Sequence, residues 1–364
     1  MALVDLLAYV SDLLSYYTDK RFNELFLDGT KEPSSVYRLA KTLGYKVPGK
    51  KGSSTLVDVV IRVPITSSGP DVQYLPIYRP GFRIGGGGQN FETQNQIDFS
   101  SDYSETGAAN RVVEPIFDAS QNIIEYKITK REFCVAGTTT IFKRIITEED
   151  SNTQFLEIFL PGNDTLEILD IIAYPSTDPS FTPTYTDYKN FENKYYEVEH
   201  LADSKVFINK DSDSDSSAGS WVEVNRRFTK EFSSDGSCSL TFGSGTPNVD
   251  AYAEYLNNLT ITNAGDINYK KMFNNTSLGS KLPAEHTLFV KYRVGGGEST
   301  NIGARVLGTV SNINAIILGV DASKNDAVLS STRATNVIPA LGGKGTPSSQ
   351  EIRYAASSNF AAQE

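Results

Sequence analysis

The chain has 364 residues, with 44 acidic against 34 basic side chains, a formal charge of −10, 2 Cys and 2 His. That length accommodates two or three domains, or one domain with insertions, and the acidic balance disfavours phosphate backbones and anionic lipid, with no basic cluster longer than Lys50-Lys51 to override it. Asp5 and Asp12 interrupt the apolar opening and no run of about 18 apolar residues exists, so neither a signal peptide nor a membrane-spanning helix is predicted. Cys134 and Cys238 give no disulfide framework. This reads as a protein made in a reducing cytoplasm, where the Asn-x-Ser/Thr matches at Asn163, Asn258, Asn274 and Asn275 carry no glycosylation meaning.

The first predicted element is an amphipathic helix. Leu3, Leu6, Leu7, Val10, Leu13, Leu14 and Tyr17 recur at helical spacing opposite Asp5, Ser11, Asp12 and Asp19, and the pattern runs to about Leu27. Such a stripe either lies against a partner or packs on the chain's own β body, and the residues alone leave both open. A second helix starts at Pro33 with Ser34 or Ser35, carries Val36, Leu39, Ala40 and Leu43, and stops at Gly44 before Pro48. From Thr55 the period becomes two: Val57, Val59, Ile61 and Val63 alternate with Leu56, Asp58, Val60 and Arg62, and Pro64 is expected to end the strand.

Short strands of the same kind recur to about residue 320. They include Ile124–Ile128, Phe155–Phe159, Lys205–Asn209, Trp221–Val224, Cys238–Phe242 and Thr287–Val294, separated by Gly/Ser/Asp/Pro clusters. Near the end, Ser348 and Glu351 stand at capping-box spacing beside Pro347 and open a helix with Ile352, Ala355, Ala356 and Phe360. The fold class is therefore α+β and β-rich: an N-terminal helical pair, β-sandwich or barrel-like domains with long loops, and a C-terminal helix. The expected divisions are a docking region at 1–47, β-rich domains at 53–150 and 151–330, and a linker and helix at 331–364.

Motifs that carry chemistry are sparse. His200 and His286 have no G-x-S-x-G elbow beside them, since Gly243-Ser244-Gly245 lacks its spacing, and no Cys or His pair stands at zinc spacing. Asp211, Asp213 and Asp215 imitate the start of a calcium loop, yet Ser216 and Val222 occupy the positions that need Gly and Glu. Gly85-Gly86-Gly87-Gly88 lacks the Lys-Ser/Thr of a phosphate loop, and Gly295-Gly296-Gly297 fails the dinucleotide fingerprint. Gly85, Gly87, Gly295, Gly296 and Gly297 are instead candidate turns and hinges. Paired carboxylates of the glycosidase kind remain open, because their separation is a spatial property. No catalytic residue, metal ligand or cofactor is predicted.

Taken in order, several segments resemble the baseplate J-like wedge proteins of contractile bacteriophage tails, T-even-type phages in particular. They are Asp5–Tyr9, Asn23–Leu27, Ser35-Val36, Leu39-Ala40 and Leu43–Tyr45, then Pro80-Gly81 leading to Phe91–Thr93, Trp221–Val224 and Leu240–Gly245. Tyr292–Gly297 with Asn301-Ile302, Val337–Gly343 and Ser348–Arg353 complete the set. The resemblance implies a structural, non-enzymatic virion protein of the tail baseplate, assembled in the host cytoplasm. It implies pairing with a second copy, contact with other wedge, sheath-initiating and hub proteins, and a ring that rearranges on contraction. Leu3, Leu7, Val10, Leu14, Tyr17, Asn23 and Glu24 become the candidate protein-contact residues. Two polar stretches, 175–193 and 211–217, look like insertions, and the chain stops short of the family's Arg-Ala-x-Thr continuation, as a fragment or shortened relative does. A receptor- or carbohydrate-binding tail module is the second class that an aromatic, loop-rich β composition fits, and an envelope hydrolase the third.

Overall fold

A computed structural model of the chain describes residues 2–104, 107–178, 180–189, 193–208, 219–245, 278–311 and 313–362. The Asp211–Asp215 stretch, the wider 211–217 insertion and the Asn258, Asn274 and Asn275 matches lie outside these residues, as do positions 179 and 190–192 of the 175–193 stretch. The expected β-rich class with a helix at each end is what forms, in sheets that curl into half-barrels.

The alternation that begins at Thr55 builds a strand over Ser54–Thr66. It pairs antiparallel with Ile123–Ala136, residue by residue from Ser54 against Val135 to Pro64 against Glu125. One face of the ladder is buried through Val57, Val59, Ile61 and Val63, as the period-two pattern requires. Pro64 does not end the strand as expected. Its carbonyl accepts the Asp71 N–H at 3.0 Å across the hairpin that returns at Gly69-Pro70, so a ring without an N–H is tolerated at this strand end. The partner strand is also longer than the Ile124–Ile128 core that its own residues suggest.

The chain divides into two compact units, and their composition is interleaved where a sequential order was expected. One unit takes Gly49–Thr140 and Arg293–Thr346, the other Met1–Pro48, Ile141–Tyr292 and Pro347–Glu364. The expected boundaries near 53, 150 and 330 follow composition, whereas the units follow strand pairing between segments far apart in sequence.

In the first unit the large sheet runs, in spatial order, Thr309–Ser311, Arg83–Gly86, Gln89–Thr93, Ile123–Ala136, Ser54–Thr66 and Gly69-Pro70. Arg333–Asn336 also pairs with Ser54–Thr66, and Arg111–Phe117 with Ile123–Ala136. A smaller sheet joins Ala315-Ile316, Ile77-Tyr78 and Ile97-Asp98. Tyr78 lies at the centre of the core, stacked on Phe82 at 5.2 Å and edge-on to Phe99 at 5.5 Å. Its hydroxyl is 2.7 Å from Thr332 Oγ1, and burial raises its pKa to about 12.

Gly85 and Gly86 belong to a strand; the turn itself is Gly87-Gly88, both with positive φ (60° and 75°), as a two-residue hairpin requires. Gly295, Gly296 and Gly297 also have positive φ, and Gly297 N–H donates to the Lys51 carbonyl at 3.0 Å.

In the second unit seven strands run in the order Glu157–Phe159, Cys238–Phe242, Arg227–Phe232, Lys194–Glu197, Thr165–Tyr174, Thr287–Val294 and Thr138–Ile145. The contact of Lys194–Glu197 with Arg227–Phe232 is parallel. Arg227 is buried there with Nε on the Leu201 carbonyl (2.7 Å) and Nη1 on the Val224 carbonyl (2.8 Å). A hairpin of Lys205–Ile208 and Ser220–Glu223 pairs with no other strand among the described residues.

One buried charge tests the first unit's integrity. Glu92 is 1% exposed, with Oε1 accepting from Arg83 Nε (3.1 Å) and Nη2 (2.8 Å), and Oε2 from Thr139 N (3.0 Å) and Oγ1 (2.5 Å). Removing the acceptor leaves those donors without it. Glu92→Ala is expected to lower stability by about 2–3 kcal/mol, allowing for the partial exposure of Arg83, and a fall in the urea midpoint at unchanged slope measures it.

Candidate docking surface

The N-terminal helix spans Ala2–Asn23, so its axis is roughly 33 Å long. Every side chain described in it, from Val4 to Asn23, is exposed. Leu7 is 60% and Leu14 62% exposed, and Val10 and Tyr17 are exposed beside them. The stripe therefore does not pack on the chain's own β body, which was one of the two outcomes the sequence left open. Leu3 falls within the helix, outside the side chains described.

A finer regularity lies under the amphipathic pattern. Leu3–Tyr9 reads LVDLLAY and Val10–Tyr16 reads VSDLLSY, and the next seven residues keep the aspartate as Asp19 and place Tyr17 in the column of Leu3 and Val10. Asp5, Asp12 and Asp19 thus form one column at a seven-residue interval, opposite columns headed by Leu3, Leu6 and Leu7. A strict seven-residue repeat holds its apolar seam against another helix only by left-handed supercoiling. The columns end in Lys20 and Arg21, which favour the helix C-terminus electrostatically.

The helix ends at Asn23, four residues short of the expected Leu27, because the chain folds back on Glu24. Thr30 Oγ1 donates to the Glu24 carboxylate, and the Lys31 N–H reaches Oε1 at 2.9 Å. The Glu32 N–H contacts both oxygens at 3.4 Å. Led by the Thr30 hydroxyl, these donors hold the Glu24 pKa below the usual carboxylate value. Glu24 therefore performs an internal task, tying the helix exit to the start of the second helix, Pro33–Thr42. Neither its role nor that of Asn23, the last helical residue, was legible from spacing.

That second helix buries Val36 and Ala40 against Ile352 and Ala356 of the C-terminal helix, Ser349–Ala362. Ser348 and Glu351 form the expected reciprocal cap: the Ser348 N–H donates to Glu351 Oε2 (2.7 Å) and the Glu351 N–H to Ser348 Oγ (3.3 Å). Arg353 donates to the carbonyl of buried Thr30. The base of the exposed helix is thereby anchored while its length is left uncovered.

Other chemistry-bearing groups are dispersed. Cys134 and Cys238 are buried free thiols, and burial pushes the Cys238 pKa up to about 12. His286 Nδ1 is 2.8 Å from the Ala284 carbonyl, and the backbone N–H of exposed His200 donates to Asp203. Among the described residues, no group of three His, Cys, Asp or Glu side chains is placed to hold a metal ion, and no helix is long and apolar enough to cross a membrane.

A family model described as the N-terminal domain of a bacteriophage baseplate protein matches residues 1–42. The matched segment comprises the exposed helix, the Glu24 turn and the second helix. No curated protein matches the chain. The match supports a structural role in a phage tail baseplate, and so a place in the virion.

The anchoring of this segment has a pH signature. A carboxylate whose folded pKa is depressed contributes stability above its unfolded value and loses it as the pH falls through the folded one. For Glu24 that window opens near the ordinary 4.5 and extends downwards. Amide exchange at Lys31 and Glu32 is expected to stay slow at neutral pH and to accelerate relative to neighbouring amides below that window. In Glu24→Gln the two amides exchange faster already at neutral pH, without the acid step.

Proposed function

We propose that the chain is a structural subunit of a contractile-tail baseplate wedge of the J-like type, working through protein–protein contacts and without catalysis. The observation that carries this reading is the exposed heptad-repeat helix, which falls within the segment that matches the baseplate N-terminal domain. A helix of this length with its apolar columns in water gains little from propensity alone and acquires its stability from packing. Its natural receptor is one or more partner helices, supplied by a second copy or by another wedge protein. The seam is Leu3, Leu7, Val10, Leu14 and Tyr17, widened by Leu6 and Leu13, and the aspartate column stays in solvent. Sheath-initiating and hub proteins are the further neighbours of a ring built in this way.

A second reading, a carbohydrate-binding tail module, is favoured by one observation. Trp221 and Phe207 form an edge-to-face pair at 5.5 Å, both exposed on the lone hairpin. Selective glycan-array binding that disappears in Trp221→Ala supports it.

Antibody labelling of native particles in the electron microscope separates the readings: label on a ring at the distal end of a contractile tail supports the wedge, and label on fibres or tips removes it. At the residue level, Leu7→Asp with Leu14→Asp is expected to leave the circular dichroism of the β units unchanged and to abolish co-assembly with wedge partners. Normal incorporation of that variant into baseplates sinks the docking role of the helix.

A further inference from the structure

The strand Ile123–Ala136 changes neighbours along one edge. Arg111–Phe117 pairs with it as far as Lys130, and Gln89–Thr93 takes over at Cys134, which leaves a break beside Arg131–Phe133. Asn110 fills part of it. The Arg131 N–H donates to the Asn110 carbonyl at 3.1 Å, and Asn110 Nδ2 donates to the Arg131 carbonyl (2.9 Å) and to Glu132 Oε1 (2.7 Å). Alongside the break lies a groove of about 690 Å³, a volume in the range of small-molecule sites. Its floor is the outer face of the ladder, because Leu56, Asp58, Thr129, Arg131 and Phe133 alternate with the residues that the core buries.

The charges of this groove balance. Arg111, Lys127 and Arg131 stand against Asp58, Glu114 and Glu132, in a chain whose net charge is −10. Arg131 holds Asp58 by both carboxylate oxygens, Nε on Oδ1 at 2.7 Å and Nη2 on Oδ2 at 2.9 Å, and Lys127 Nζ donates to Glu114 Oε2 at 2.8 Å. Exposed pairs of this kind add little to stability, but they select among ligands. A charged guest competes with a countercharge already in place. A hydroxyl, donor and acceptor at once, joins both ends of a pair without parting them.

Two buried atoms call for the same group. Both amide hydrogens of Asn110 are committed, and its Oδ1 is buried with no hydrogen-bond partner in the chain. On the next residue, Arg111 Nη1 donates to Asp102 at 2.7 Å while Nε is buried with no partner in the chain. An acceptor and a donor left over on consecutive residues are costly until a complement meets them. Between these polar groups the lining is apolar: Phe133 is 42% and Val112 55% exposed. The negative face of an exposed aromatic ring attracts the C–H groups of a flat ligand laid on it.

We propose that this groove binds a neutral saccharide. Its hydroxyls meet the Arg131–Asp58 and Lys127–Glu114 pairs and the Asn110 carboxamide, and one C–H face of a sugar ring lies on Phe133. Acidic polysaccharides are the poorer ligands, since the chain's overall charge repels them. The groove belongs to the other unit from the Trp221–Phe207 hairpin, and it requires nothing of the wedge assignment.

Saturation-transfer difference NMR of the full chain, with maltotriose, cellotriose and chitotriose as neutral probes and trigalacturonate as the anionic one, tests the site. At least one neutral probe is expected to bind, with trigalacturonate weaker. Phe133→Ala and Asn110→Ala are each expected to weaken that binding about fivefold or more. Because Asn110 also bonds the sheet, Phe133→Ala, at an exposed position that leaves the circular dichroism unchanged, is the deciding variant. Trp221→Ala keeps the binding, and so does Leu7→Asp with Leu14→Asp, whatever that pair does to assembly. Silence of all three neutral probes, binding indifferent to Phe133, or trigalacturonate bound as tightly as the neutral probes overturns the proposal. Binding lost with Trp221 and kept with Phe133→Ala also overturns it, and moves the saccharide to the hairpin.

Discussion

The ladder between Ser54–Thr66 and Ile123–Ala136 is the constraint on which the first unit depends. Because the pairing is in register over almost the whole first strand, a slip of one residue would turn Val57, Val59, Ile61 and Val63 out of the core together. Four further strands pair directly with one of these two. Arg333–Asn336 and the Gly69-Pro70 return take the outer edge of the first, and Arg111–Phe117 and Gln89–Thr93 take that of the second. The ladder also explains why the unit draws on two distant stretches of chain. Its free edge at Val57–Val60 is completed by a strand nearly 280 residues later, so neither stretch closes a core by itself.

The second unit is organised differently, around helical ends. The contact of Val36 and Ala40 with Ile352 and Ala356 closes a small apolar cluster, and Thr30 joins it to the exposed helix through Glu24 on one side and Arg353 on the other. The result is a stiff root with a bare stem. Such a division of labour suits a docking element, because its direction of exit is set before a partner arrives while its apolar seam remains available. The energetic logic is that of preorganisation: the anchored turn bears part of the ordering cost that a floppy tail would meet on binding.

How much of this was legible in the sequence depends on how local the cause is. Helix starts and stops were readable because Pro33, Gly44 and the Ser348–Glu351 pair act within one turn of their own position. The strand at Thr55 was readable because alternation is a property of adjacent residues. The strand's passage through Pro64 was not, since the tolerance comes from Asp71 across a hairpin. The interleaved units, the buried Glu92 and the groove beside Asn110 were not either. Each is set by residues distant in sequence, Thr139 for Glu92 and Asp58 for Arg131, and composition carries no trace of such meetings. In the site itself, the stripe was visible at once, and the seven-residue interval between Asp5-Leu6-Leu7 and Asp12-Leu13-Leu14 was equally there to be read.

The meeting of the second helix with the C-terminal one sets an order of events in the cell. A ribosome adding about 5–20 residues per second needs on the order of 15–60 s to travel from Pro33–Thr42 to Ser349–Ala362. Throughout that interval the N-terminal helix has no root, because Val36 and Ala40 lack their packing partners and the Thr30 carbonyl lacks Arg353. The direction in which the exposed helix leaves the body is therefore fixed only once two helices about 300 residues apart have both been made.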